Sequence, residues 1–491
     1  MTHSLDRLPS LAGILPNEAA RIGYSVDENV RRLVRLHWAE RRMMLTMISR
    51  LPGTPEWEVK CAFALHQWYA AEHADRLAAR IVEMRNPAPK LDGSPDGALD
   101  RFFDELMQSP TTAELVAGLY HVARPAISAA YAEHRAYTNP LVDHPTRRLM
   151  QLALVDDEET LAWRGEACEA LTSDDPDAMV RTREWTTHLH QLLVEAGGMM
   201  GAPYGDVGDS ARRGDPPTSE STTRRRTDHH HSTASMSDPA LDSLAPAHST
   251  SINLTPHRDS RFAGLYNFEF PPHVVYNLPN VPADERNLAL LCKRALEMDV
   301  PEMMATFIAE RPSEPWEFYH DYSRQLWDEA RHAMMGTVGL EALGVDWKTE
   351  IPLNISFALR LGQHATPLER QTILYAIEQS LMPAETGKRF EHETAVAAGD
   401  ALSRHFHDYD WADEVLHAQI GRRMLKRDGV SRELAIERAV GIHERTWAAL
   451  DAYRDREKQS GAWWTTLVRK VLGHDPAVPP EELGAPTVIS E

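Results

Sequence analysis

The sequence predicts an all-α protein, built as two helical bundles joined by a disordered linker. Apolar residues recur at helical spacing over most of the chain, and strand-type alternation is sparse. One long central stretch carries almost no large apolar side chain. At 491 residues the chain exceeds what one hydrophobic core ordinarily organises, so two domains are expected.

Residues 28–50, "ENVRRLVRLHWAERRMMLTMISR", set Val30, Leu33, Val34, His37, Met44 and Ile48 on an approximate 3.6-residue repeat. Residues 58–84 and 112–137 behave alike, with Pro and Gly kept mainly to the joints. Residues 205–257 contain "GDPPTSESTTRRRTDHHHS" and bury too little apolar surface to offset their ordering entropy. This is the expected linker, and its His229-His230-His231 run reads as a solvated low-complexity patch. After it, 283–310, 315–343, 367–398 and 410–427 are four more long helical candidates. The expected division is 1–204 for the first bundle and 205–257 for the linker. Residues 258–430 form the second bundle, and 431–491 a helical extension and tail.

Bulk properties narrow the function classes. Apolar residues make up 42% and charged ones 25%, as in soluble globular proteins. A formal charge of −21 disfavours binding to nucleic acid or anionic lipid. No apolar run suits a membrane span, and the start lacks a signal-peptide pattern. Three cysteines, Cys61, Cys168 and Cys292, follow no spacing motif, so a reduced cytoplasmic setting is expected.

Chemistry concentrates in the second half. A Glu-x-x-His pair places both side chains on one helix face. Three such pairs occur: Glu317/His320, Glu329/His332 and Glu414/His417. Chance alone predicts about two, but a preceding Asp lowers the chance expectation to about 0.1. Two pairs carry it, in "DEARH" (Asp328 to His332) and "DEVLH" (Asp413 to His417). A metal-bound imidazole usually donates its other N–H to a carboxylate, and here each Asp can serve the His of the opposite motif. Glu317/His320 lacks the Asp and follows Pro315, so it reads as a helix start.

Four-helix di-metal sites add one carboxylate from each remaining helix. Antiparallel neighbours place level positions about 30–36 residues apart. Glu297 lies 32 residues before Glu329, and Glu378 lies 36 before Glu414. Asp299 and Glu302 are alternatives to Glu297, because Pro301 disturbs the helix phase there. Glu385 is the alternative to Glu378.

Residues 283–427 thus resemble the ferritin-like di-iron carboxylate superfamily. "DEARH" is especially similar to the Asp-Glu-x-Arg-His signature of bacterial multicomponent monooxygenase hydroxylases. Related motifs occur in ribonucleotide reductase small subunits and arylamine N-oxygenases. The resemblance implies six metal ligands: Glu297, Glu329, His332, Glu378, Glu414 and His417. "DEVLH" lacks the Arg of the fuller signature but keeps the ligands. Asp410 lies one turn before Glu414, as an extra ligand does in some of these N-oxygenases; acids capping a helix in "HDYDWADE" give the same pattern. Carboxylates and imidazoles without thiolate suit two iron ions, two manganese ions or a mixed Mn/Fe pair.

The first half echoes this skeleton. Glu40 precedes Glu72 by 32 residues, but Asp75 stands three after Glu72, and His73 is expected to face away. In "LVDDEETLAWRGEA", Leu161 stands three after Glu158, where the ligand His would be. Residues 28–200 therefore read as a second ferritin-like bundle without a di-metal site. Its Glu40 and Glu72 would be held by arginines such as Arg41 or Arg76. A site from Glu40, Glu72, His66 and His73 is the alternative.

The expected function is an oxidase or oxygenase that activates dioxygen on a small organic substrate, with an electron-donor protein and a homodimer as possible partners. Trp316, Phe318, Tyr319, Tyr322, Trp327, Tyr375 and Trp411 lie near the ligand helices, where ordinary core packing accounts for each better than a radical or substrate role. Ferroxidase or iron handling, and a non-catalytic helical interaction protein, are the alternatives.

Overall fold

The computed structural model describes residues 8–201, 253–266, 270–383, 385–453 and 461–483. Among these residues the ordered elements are helices, and no strand occurs. The expected linker lies outside the described residues, His run included, except for its last residues, 253–257. These are packed: the His257 N–H donates to the Pro52 carbonyl at 3.1 Å, and Gly53 lets the Asn253 backbone press against it. The linker expectation therefore ran too far at this end, because a polar segment can still be held through its backbone.

In the first half, α1 (Val26–Arg50) packs on α2 (Trp57–Met84), α2 on α4 (His144–Thr172) and α4 on α3 (Arg124–Tyr137), which returns to α1 through the Arg124–Glu40 and Glu133–Arg32 ion pairs. Ser25 caps α1 by accepting from the Glu28 N–H at 3.2 Å, with Asp27 and Glu28 in the positive first turn. The stretch expected as one helix over 112–137 does run continuously, through a π-helical turn at Gly118–Ala123.

In the second half, α5 (Ala283–Ala295) and α6 (Asp299–Ala309) are separated by a 3-10 turn, Leu296–Met298. Pro301 explains the break, since it has no N–H to give the Glu297 carbonyl four residues earlier. Then follow α7 (Trp316–Ala342), α8 (Pro367–Ser380), α9 (Lys388–Ala398) and α10 (Ala401–Arg427). The α5/α6 pair packs on α7, α7 on α10, α10 on α8 and α9, and these return to α5 and α6. The ring is closed. Gly336 allows its tightest contact, because a Cβ there would collide with the backbone of Arg294 and Ala295.

Two expected elements are corrected. Residues 367–398 are not one helix: α8 stops at Ser380, Pro383 follows, and α9 restarts with Gly387 as its N-cap. Residues 410–427 are only part of α10, which begins at Ala401 and is capped by Asp400 accepting from Leu402 and Ser403. The acids of "HDYDWADE" thus lie mid-helix and cap nothing.

The two halves share one hydrophobic core, with α2 packed along α7. Between them Gln67 donates to the Ser323 carbonyl at 2.8 Å, and the Ser323 hydroxyl donates back to Gln67 at the same distance. Glu302 is wholly buried, ion-paired to Lys60 at 2.6 Å and to Arg258. This removes Glu302 as a candidate ligand.

Candidate metal centre

The second ring encloses a group of acidic and imidazole side chains away from water. Glu329 and His332 come from α7, Glu378 from α8, and Asp410, Glu414 and His417 from α10; all are at most 4% exposed. Glu297 projects from the 3-10 turn between α5 and α6. Of the six expected residues, Glu329, Glu378, Glu414 and His417 bring one ligand atom each within 4.8 Å of one another. Glu297 and His332 lie in an adjoining cluster with Asp410, by the same measure. The structure thus divides the six between two positions and adds Asp410.

The imidazoles are oriented by a crossed exchange. His417 Nε2 faces Asp328 at 3.3 Å, and His332 Nε2 faces Asp413 at 3.2 Å. Each Asp serves the opposite motif, which leaves both Nδ1 atoms turned inward. His417 Nδ1 stands 3.2 Å from both Glu329 and Glu414, and His332 Nδ1 stands 3.2 Å from Asp410. Arg331 braces the exchange, bonding Asp413 at 2.9 Å and also pairing with Asp328.

The electrostatics express a demand for positive charge. Burial raises the Glu378 carboxyl well above its ordinary range, reinforced by Glu414 and Glu329. Burial alone would lower His417, yet Glu414, Asp328 and Glu329 hold it well above the ordinary imidazole value. His332 is likewise pushed up to about 10, with Asp410 and Asp413 overcoming burial. Without a bound cation, protons gather here. Asp410 Oδ2 is buried without a hydrogen-bond partner, and Glu329 Oε1 and His332 Nδ1 make ion-pair contacts but no well-aligned hydrogen bond, which is costly unless something coordinates them. The donor set, hard carboxylates with inward imidazole nitrogens, fits a divalent ion such as iron or manganese.

A cavity of about 430 Å³ adjoins this centre, with Glu297 on its wall. It opens where the α8–α9 break and the α5–α6 turn face each other, so both helix interruptions serve to make room. Leu296, Val300, Met303, Phe357 and Trp447 supply apolar wall, and Asp299 and Glu385 supply carboxyls. Among the described residues the Asp299 carboxyl has no hydrogen bond or ion pair, and burial with Glu302 and Glu297 nearby pushes it up to about 8. Glu385 is exposed at the rim, away from the position of Glu378. Of the expected aromatics, Phe318, Tyr319 and Tyr322 are buried in the core, and Trp316 bonds Asp75 across the halves at 3.0 Å.

Sequence reasoning missed the cations. Lys388 Nζ lies 2.9 Å from Asp410 and 3.0 Å from Glu414, and Arg294 lies 2.8 Å from Asp410 and 3.3 Å from Glu297. Nothing in "GKRFEHE" marks its lysine as buried, and only the helix restart after Gly387 turns it inward.

In the first half the alternative four-residue grouping does not form. Glu40 accepts from Tyr131 and pairs with Arg124, both at 2.6 Å, and meets His73 at 3.2 Å. His66 bonds Tyr120 at 2.7 Å instead. Two expectations are corrected: His73 faces inward, and Glu40 is held by Arg124, while Arg41 bonds the Leu91 carbonyl. Glu72 faces the other half, held by Arg76 as expected and by His320, each at 3.0 Å. His320 is thereby placed outside the centre.

Comparison with protein-family models, curated proteins and solved structures returned no match for this chain. Among the described residues no helix is long and apolar enough to cross a membrane.

Proposed function

We propose that the protein is a metal-dependent oxidoreductase of the oxygen-activating di-metal type, acting on a small organic molecule held in the cavity beside Glu297. The observation that carries this reading is the meeting of the buried clusters with an apolar cavity of about 430 Å³. Glu329, Glu378, Glu414 and His417 would hold one ion, and Glu297, His332 and Asp410 a second. Bound redox-active ions would supply electrons to dioxygen. Around them the chain keeps the imidazoles in one orientation through Asp328 and Asp413, and Gln325 steadies Glu378 by donating at 3.0 Å. The apolar walls would exclude water from a substrate, and the Asp299 carboxyl on the same wall offers it a polar contact.

Iron oxidation without an organic substrate is the second reading, favoured by the carboxyls of Glu297, Asp299 and Glu385 on the same cavity. The test is to load metal-free protein with Fe(II) without oxygen, admit air, and follow the optical spectrum and oxygen uptake. Oxygen uptake with a new absorption band is expected from wild type, and at least a tenfold loss from Glu329→Gln and His417→Ala. Equal uptake in the variants would sink the assignment. Uptake that tracks added Fe(II) without end, leaving ferric product in solution, would favour the second reading.

A further inference from the structure

We propose that Lys388 is a resident cation of the centre, standing where a second ion would bind. The chain then holds one divalent ion at the Glu329–Glu378–Glu414–His417 cluster and admits another only when the Lys388 ammonium is withdrawn. This rests on reading that cluster as metal-binding.

The two positions differ in how their charge is met. Lys388 is 1% exposed, and its Nζ is within hydrogen-bond distance of Asp410 and Glu414, at 2.9 and 3.0 Å. Arg294 reaches Asp410 and Glu391, both at 2.8 Å, and Glu297 at 3.3 Å. Lys293 reaches Glu391 at 2.8 Å. Three cations thus face Glu297, Glu391 and Asp410, and one of them, Lys388, also reaches Glu414, which the neighbouring cluster shares. A divalent ion added there would leave its own charge uncompensated in a buried region, which is strongly unfavourable.

The four-residue cluster is different. Glu329 and Glu378 meet no lysine or arginine among the described residues; their partners are His332, His417 and Gln325. Only Glu414 is shared, with one oxygen toward Lys388 and the other toward His417. A divalent ion here offsets carboxylate charge that, among the described residues, meets only imidazoles and, at Glu414, Lys388.

Lys388 also occupies a position from which it can leave. It is the first residue of α9, directly after the break whose Leu381, Glu385 and Thr386 form cavity wall. The segment that would contact an occupant of the cavity therefore carries the ammonium that guards the second position.

The experiment titrates metal-free full-length protein with Mn(II) alone, reading retained metal after desalting and the Mn(II) electron paramagnetic resonance signal. Wild type is expected to retain one ion per chain, with the spectrum of an isolated ion. Lys388→Met is expected to retain two, at least tenfold tighter at the second step, with signal lost to coupling between neighbouring ions. His332→Ala should keep the single ion of wild type and His417→Ala should lose it, which decides the matter even if Lys388→Met does not fold. Two ions of similar affinity in wild type, or a folded Lys388→Met with no second ion, would overturn the assignment while leaving the metal reading intact. No retained ion in wild type or any variant would overturn the metal reading, and this inference with it.

Discussion

In the first half Glu40 lies against Arg124, whose guanidinium also pairs with Asp157 at 2.9 Å; in the second, Glu329 and Glu378 lie against no lysine or arginine among the described residues. Both rings bury acids at comparable levels. One satisfies them with an arginine built into α3, and the other leaves part of its set to protons or a bound ion. The first arrangement is complete as folded, since Arg124, Tyr131 and His73 all converge on Glu40. The second meets Glu329 through imidazoles rather than a guanidinium, and its Asp410 Oδ2 is buried without a hydrogen-bond partner. The difference teaches that matching acid spacing marks a buried polar layer, whereas the absence of an internal cation marks where a ligand is wanted.

Removing the built-in cation should break this contrast most severely. Arg124→Leu leaves Glu40 with only His73 and Tyr131 and Asp157 with only Ser128, both buried without their guanidinium, a change expected to cost about 3–5 kcal/mol. Thermal unfolding of metal-free protein would measure it, and Mn(II) should not restore the loss. Recovery on adding Mn(II) would mean that the first ring accepts an ion in place of Arg124.

A smaller effect comes from pH. Asp156 and Glu40 overcome burial to push His73 up to about 9, against about 6.5 for an unfolded imidazole. The folded pKa is raised, so its stabilisation is fully present below about pH 6.5 and disappears as pH rises through about 9. The melting temperature of wild type should therefore fall more steeply between pH 6.5 and 9.5 than that of His73→Gln. Parallel curves would show that His73 is neutral in the folded protein.

The smallest change is expected at Glu72, which matches Glu329 by spacing but not by surroundings. It is about a quarter exposed and faces Arg76 and His320. Glu72→Ala should cost less than about 1 kcal/mol and leave bound metal unchanged. A drop in metal content would show that the two glutamates are more alike than their burial indicates.

Much of the second ring was legible beforehand, because helical periodicity and the doubled Asp-Glu-x-x-His spacing are local properties. The side of the helix that a motif occupies follows from residue spacing alone, so the crossed service of His332 and His417 by Asp413 and Asp328 could be anticipated. The first ring was less legible. A one-residue change in phase separates Glu72 from His73, and periodicity over a mixed helix does not resolve which one turns inward. Glu297, Asp299 and Glu302 posed a similar problem around Pro301, and partners far along the chain separated them: Arg258 and Lys60 claim Glu302, and the cavity leaves Asp299 free.

By itself, then, the sequence determined the all-α class, the principal helices and the acid–histidine pairs, since each depends on contacts within a few turns of one helix. The tertiary structure alone decided where the charges are met. Arg124 reaches Glu40 across 84 residues, and Lys388 reaches Asp410 only because α8 stops and α9 restarts beside α10. Whether a buried carboxylate is left for a metal depends on which cation the fold brings within about 3 Å of it, and that is set by packing between helices rather than by any single helix.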